Sequence, residues 1–209
     1  MSIATEIQRL QTAKSDLKTA IEAKGVTVPS SATIDTYDDY VSQISGGTTY
    51  ETEVKGIIDR SLTSIDIPSG VTSIGNYVFD SCSNLSSVTI PNSVTSIGNS
   101  AFYECFNLTS VTIPNSVISI YNFVFYGCRS LTSVTIPSGV TNIGIQAFYG
   151  CRSLTSITVN TTTPPTLGSN AFVNTNDSPI YVPSESVETF KTASEWSTYA
   201  SRIQAIPNS

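Results

Sequence analysis

Residues 62 to 159 repeat themselves every 23 positions, and no other feature narrows the possible folds as much. Leu62, Leu85, Leu108, Leu131 and Leu154 open five units. Ile65, Val88, Val111, Val134 and Ile157 follow in register, and two residues later come Ile67, Ile90, Ile113, Ile136 and Val159. Pro68, Pro91, Pro114 and Pro137 are next, then Val71, Val94, Val117 and Val140, then Ile74, Ile97, Ile120 and Ile143. Phe79, Phe102, Phe125 and Phe148, and finally Cys82, Cys105, Cys128 and Cys151, complete the unit.

The spacing dictates the local structure. Ile65 and Ile67 stand two apart, so they share one face of a short strand while Ser64 and Asp66 face out. Pro68 ends that strand because it has no N–H for a further ladder bond. Val71 and Ile74 begin a second inward-facing segment, and pairs such as Ala101-Phe102 fill a corner before the cysteine returns the chain to the next leucine. One unit cannot bury this many apolar side chains alone. Stacking units at about 4.8 Å per rung turns each position into a column and the whole into one continuous core.

Composition sets the surface and removes several functions. Charged residues are only 12% of the chain, against about 25% in an average domain, whereas Ser and Thr together are roughly 30%. Hydroxyl groups therefore solvate much of the outside. There is no histidine, which removes the commonest general base and metal ligand and every Ser-His-Asp or Cys-His device. The net charge of −6, with ten Lys and Arg scattered along the chain, offers no basic stripe for phosphates, so no nucleic-acid partner is expected. No run approaches the ~20 apolar residues of a membrane span, and Met1 to Leu10 lacks the apolar stretch of a secretory signal.

The unit L-x-x-[IV]-x-I-P-x-x-V-x-x-I-G-x-x-A-F-x-x-C resembles the BspA-like leucine-rich repeats of bacterial and protist surface proteins. The resemblance implies a solenoid but not a single activity. The expected fold is an α+β repeat protein: a leucine-rich-repeat solenoid of about five 23-residue coils with an N-terminal helical module and a C-terminal helical cap. The expected divisions are residues 1–49 for the helical module and linker, 50–160 for the solenoid and 161–209 for the cap. Tyr121 departs from the pattern, standing where Gly75, Gly98 and Gly144 stand, so its turn is expected to lack a left-handed conformation or to be wider.

Both ends of a solenoid need covers. Asn170-Ala171-Phe172 keeps the corner motif, Pro179 to Pro183 reads as a last strand, and Ser184 with Glu185 and Glu188 reads as a helix N-cap with acids in the first turn. Val187, Phe190, Trp196, Tyr199 and Ile203 are expected to lie against the final rung, a segment also similar to the terminal cap of bacterial family members. At the other end, residues 2–24 read as a helix whose Ile3, Ile7, Leu10, Lys14, Leu17 and Ile21 form a coiled-coil seam with one polar break. Asp35 to Ile44 reads as a second short helix. Residues 2–44 serve either as an assembly module or as a cap, and they resemble N-terminal segments of phage tail and fibre proteins.

Four candidate chemistries follow. Four cysteines spaced by 23 form a straight column rather than a tetrahedron, so buried reduced thiols are expected ahead of inter-rung disulfides or structural zinc. Asp35, Asp38 and Asp39 fall at a helix start, where capping is expected ahead of calcium. Ser87, Ser110, Ser133 and Ser156 form one outward row, and Asp66, Thr89, Thr112, Thr135 and Thr158 form a second. Tyr103, Tyr126 and Tyr149, with Arg129 and Arg152 nearby, are the candidate partner-binding surface, set against the plainer reading that they merely solvate the solenoid.

The resulting expectation is a non-enzymatic structural and adhesive protein with no catalytic, metal or cofactor site. The favoured setting is a phage virion, as a fibre, tail or capsid decoration made in the host cytoplasm. There residues 2–44 would bind other virion proteins or a second copy, and the solenoid would bind a host-surface glycan or protein. The alternative is a bacterial cell-surface or intracellular binding protein.

Overall fold

The computed structural model describes residues 60–207. The helices expected in residues 2–44, with the seam Ile3, Ile7, Leu10, Leu17 and Ile21 and the aspartates 35, 38 and 39, lie outside the described residues, as does the expected boundary at 49.

Within them the chain winds as a parallel solenoid of short strands. In chain order these are β1 (Ser64–Asp66), β2 (Ser73–Ile74), β3 (Ser87–Thr89), β4 (Ser96–Ile97), β5 (Ser110–Val111), β6 (Ser119–Ile120), β7 (Ser133–Ile136), β8 (Asn142–Ile143), β9 (Ser156–Val159), β10 (Thr166–Leu167), β11 (Ile180–Val182) and β12 (Ile203–Ala205). The odd-numbered strands together with β12 line one side, as a three-stranded ladder β1-β3-β5 followed by the ladder β7-β9-β11-β12. Between β5 and β7, Thr132 N still donates to Thr109 O at 3.2 Å. The opposite side is the five-stranded row β2-β4-β6-β8-β10. Partners are 23 residues apart, as in Ile65↔Val88 and Ile120↔Ile143. Only at β10 does the register lengthen, Leu167 pairing with Ile143, because the Thr161 to Pro165 segment adds a residue.

The columns expected from the repeat are the core. Leu85, Leu108, Leu131 and Leu154 are fully buried, as are Val94, Ile97, Ile120 and Ile143. Phe79, Phe102, Phe125, Phe148 and Phe172 stack face to face, with ring centroids 5.0 to 5.5 Å apart. Exposed hydroxyls also hold rungs together: Ser86, Thr109, Thr132 and Thr155 each donate a side-chain O–H to the carbonyl 23 residues earlier. The abundance of Ser and Thr is thus partly structural, since these groups bridge rungs where the ladder has not yet begun.

Two expectations are corrected. Gly75, Gly98 and Gly144 do not adopt left-handed conformations; the positive φ falls two residues later, at Tyr77, Ser100, Phe123 and Gln146. Glycine is needed in that column for closeness, since a Cβ on Gly98 would lie 2.9 Å from the Gly75 carbonyl carbon. Ser184 is not an N-cap. The chain leaves Pro183 through a 3-10 turn, Ser184–Ser186, before the helix Val187–Thr192, and the Ser184 hydroxyl donates to Glu185 instead. Ser186 occupies the N-cap position, but its hydroxyl donates to Thr162 O at 2.8 Å.

The C-terminal cover is built from side chains that imitate a further rung. On inner rungs the corner N–H groups donate forward, as Phe102 N does to Val124 O and Phe148 N to Ala171 O. Phe172 N has no such carbonyl ahead and donates to the Tyr199 hydroxyl at 3.2 Å. Trp196 packs on Phe172 and Phe190, and its indole N–H donates to Pro165 O at 2.8 Å. Arg202 donates to the carbonyls of Ser178 and Phe172 and to Thr175 Oγ1. Phe190, Trp196, Tyr199 and Ile203 are buried as expected, and Val187 is half-buried. The sequence reading missed β12, which extends the β11 ladder after the 3-10 helix Trp196–Arg202.

Candidate functional site

The corner after each phenylalanine turns outward at the next residue. The corner N–H groups bond along the solenoid axis to the next rung, as Phe102 N does to Val124 O, and the chain buries Ala101 and Phe102 before Tyr103 comes to the surface. Tyr103, Tyr126 and Tyr149 therefore fall in one external column. Their rings stack 4.7 and 5.0 Å apart, within 5° and 9° of parallel, and all three are half-buried. Phe123 meets Tyr126 edge-on at 6.3 Å. Partial burial raises the Tyr103 phenol above its usual value, and the negative Glu104 adds to the shift.

Arg129 and Arg152 are exposed but do not join that stack into one ladder. The Arg129 guanidinium lies over the Phe106 ring at 4.7 Å, a cation–π contact that commits it to a neighbouring column. Arg152 lines a shallow, open depression with Asn174 and Asn176, both in left-handed conformations. The expected surface is thus two features: a tyrosine stack whose ring faces cover one another and whose edges and hydroxyls face out, and a pair of separate cations. The outward rows Ser87, Ser110, Ser133 and Thr89, Thr112, Thr135 are exposed on β3 and β7 and on and just after β5, while Ser156 and Thr158 are half-buried.

None of the four cysteines forms a disulfide, and all are buried in one column. Cys105, Cys128 and Cys151 each donate S–H to the phenylalanine carbonyl 26 residues earlier, at 3.1 to 3.2 Å. Burial raises all three thiols well above the ordinary range, Cys151 to about 12. Held protonated and away from solvent, they are neither nucleophiles nor ready metal ligands. Among the described residues no group of three His, Cys, Asp or Glu is placed to hold a metal ion.

Two features escaped the sequence reading. Asn76, Asn99 and Asn122 form an amide ladder beside the glycine column, each Oδ1 accepting the backbone N–H of the residue 23 later, at 2.6 to 3.1 Å. Their spacing was visible, but a polar repeat position carries no sign of where its side chain points. The second feature is the exposure of Ile118 and Ile145 beside Tyr121; only Tyr121 stood out as a departure from the repeat, and a column-by-column reading would have flagged the two isoleucines as well.

The BspA type leucine rich repeat region, in six copies, matches this chain over residues 58–179 and 119–195. Among solved structures the chain is similar to a leucine-rich repeat protein of T. pallidum, with 29% identity over 57% of this chain and 66% of that one and a TM-score of 0.51. It is also similar to a leucine-rich cell surface protein of Faecalibacterium prausnitzii A2-165, with 31% identity over 69% of this chain and 36% of that one and a TM-score of 0.53. The pneumococcal vaccine antigen PcpA, at 21% identity over 69% of this chain and 40% of that one with a TM-score of 0.53, shares the fold. No curated protein matches the chain. The chain therefore spans between 36% and 66% of the length of these solved relatives. The family match begins at residue 58, so the expected likeness of residues 2–44 to phage tail and fibre proteins draws no support from it.

Proposed function

The chain belongs to the BspA-type leucine-rich repeat family, and from that premise we propose that it is a non-enzymatic adhesive protein whose solenoid displays a binding surface for protein or glycan. The observation that carries this reading is the external column of stacked Tyr103, Tyr126 and Tyr149, with Arg129 and Arg152 exposed in a separate column. Rigid aromatic groups held in place before binding cost little further ordering, which is what a recognition surface requires. The side chains with the most chemical potential, the cysteines, are held in unreactive form by burial, which supports a binding role over a catalytic one.

The cell-surface relative from F. prausnitzii supports a bacterial surface as the setting. A virion setting rests on the seam read in residues 2–24 and on that segment's likeness to phage proteins. Fractionation separates the two settings: a surface protein travels with the cell envelope, a virion component with purified particles. For the surface itself, the test is Tyr126→Ala with Arg129→Ala. The double variant should keep its melting temperature near that of the parent and lose about tenfold or more in binding to intact bacterial or epithelial cells. Unchanged cell binding would remove this face from the proposal.

A further inference from the structure

Tyr121 stands in a column that both neighbouring rungs fill with glycine, Gly98 on one side and Gly144 on the other. The column is tight: a Cβ on Gly144 would lie 2.5 Å from the Tyr121 carbonyl carbon. The rung spreads to admit the tyrosine. Tyr121 N donates to Ile97 O at 3.2 Å, where the equivalent bonds at Gly98 and Gly144 are 2.9 Å. Asn122 N donates to Asn99 Oδ1 at 3.1 Å, against 2.6 and 2.8 Å on the rungs before and after.

The result is an aromatic ring unlike those of the tyrosine stack. Tyr121 is 44% exposed, and with glycine on each side no ring among the described residues stacks on it. Its ring is not paired with another among the described residues, whereas Tyr126 is sandwiched between Tyr103 and Tyr149. Two further departures from the repeat lie close by. Ile118, 53% exposed, replaces the threonine found at 72, 95 and 141, and Ile145, 43% exposed, replaces the asparagine found at 76, 99 and 122. Thr141 N bonds Ile118 O, and Ile145 N bonds Asn122 Oδ1, so these residues share two adjacent rungs. The side chain of Asn122 spends its oxygen on that bond and keeps its amide N–H groups as donors.

The surrounding face has no charge. Residues 68–79, 91–102, 114–125, 137–148 and 160–171, which carry the row β2-β4-β6-β8-β10, contain no Asp, Glu, Lys, Arg or His. An ionic ligand would lose water here and gain no counter-charge. Ile118, Tyr121 and Ile145 make a small patch, with the other exposed large apolar residue among the described residues, Tyr77, two rungs away, whereas a stable protein interface takes ~800 Å² from each partner. The geometry points to a subsite for one uncharged sugar residue of a glycan, its C–H face lying on the Tyr121 ring between Ile118 and Ile145 and its hydroxyls taking hydrogen bonds from Asn122. This rests on the binding role proposed above and names a ligand class for a different face of the solenoid.

The experiment is affinity electrophoresis of the full chain in native gels that contain a neutral glucan, a mannan, a galactan or, as the charged control, dextran sulfate. The expected result is retardation by at least one neutral polysaccharide and none by dextran sulfate. Tyr121→Gly and Ile118→Thr restore the repeat's own residues, so both variants should fold and melt no lower than the parent. The first should weaken retardation about tenfold or more and the second by a smaller factor. No retardation by any of the three neutral polysaccharides, retardation unchanged in Tyr121→Gly, or loss of a protein contact in that variant without any effect on polysaccharide would each overturn the subsite. Cell binding separates this from the wider reading. Equal binding to cells by parent and Tyr121→Gly counts against the subsite and leaves the adhesive role standing, whereas absence of cell binding by the parent removes the adhesive role itself.

Discussion

At the scale of single residues, position within the rung outweighs residue type. A tyrosine after the corner phenylalanine stacks and is half-covered; a tyrosine in the glycine column stands alone. The cysteines show the same control through their protonation. Burial holds Cys128 and Cys151 protonated, Cys151 up to about 12, whereas a thiol in the unfolded chain titrates near ~8.5. Between these values the unfolded chain releases protons that the native chain keeps. The thiols' contribution is therefore complete below about pH 8.5 and is lost as pH rises toward about 12. Melting temperature should fall between pH 7.5 and 10.5, and a chain with Cys105→Ala, Cys128→Ala and Cys151→Ala should fall less over the same interval. Equal falls would place the alkaline loss elsewhere, for instance at Tyr199, whose phenol burial also raises.

At the scale of elements, the cover of the last rung is the least repetitive part of the described chain and the most dependent on individual side chains. Trp196 is fully buried, packs on Phe172 and Phe190 and satisfies Pro165 O. Trp196→Ala should cost about 3–5 kcal/mol in urea unfolding, since it opens a cavity over the phenylalanine column and orphans a carbonyl. Tyr199→Phe keeps the packing and removes the acceptor for Phe172 N–H, so about 1–2 kcal/mol is expected. A negligible effect of Tyr199→Phe would mean that water replaces the hydroxyl there.

At the scale of the molecule, each rung touches its neighbours and carries the same columns, so stability should be close to a sum over rungs and the contacts between them. Deleting residues 93–115 joins Asn92 to Ser116, which occupies the column of Ser93 and keeps every register intact. That chain should remain folded by circular dichroism, with a smaller denaturant slope because less surface is exposed on unfolding. Deleting only residues 93–104 shifts the phase and turns core columns toward water, and it should abolish the cooperative transition. Survival of the second deletion would contradict a solenoid held by its columns.

What the sequence determined by itself was the period and everything that follows from the period: the parallel strands, the leucine, isoleucine and phenylalanine columns, the buried line of thiols and the closing role of Phe190, Trp196, Tyr199 and Ile203. Hydrophobic positions repeat because each must meet its own copy one rung away, so spacing alone reveals them. The tertiary structure decided what the period leaves open. It moved the left-handed residues from the glycine column to Tyr77, Ser100, Phe123 and Gln146, separated Arg129 from the tyrosine stack by drawing it onto Phe106, and turned Asn76, Asn99 and Asn122 into a ladder. It also gave Tyr199 and Arg202 the hydrogen bonds of a missing rung. The physical reason is the same throughout: burial is set by where a residue recurs along the chain, but a surface side chain chooses among neighbours on three successive rungs, and only their packed geometry selects one.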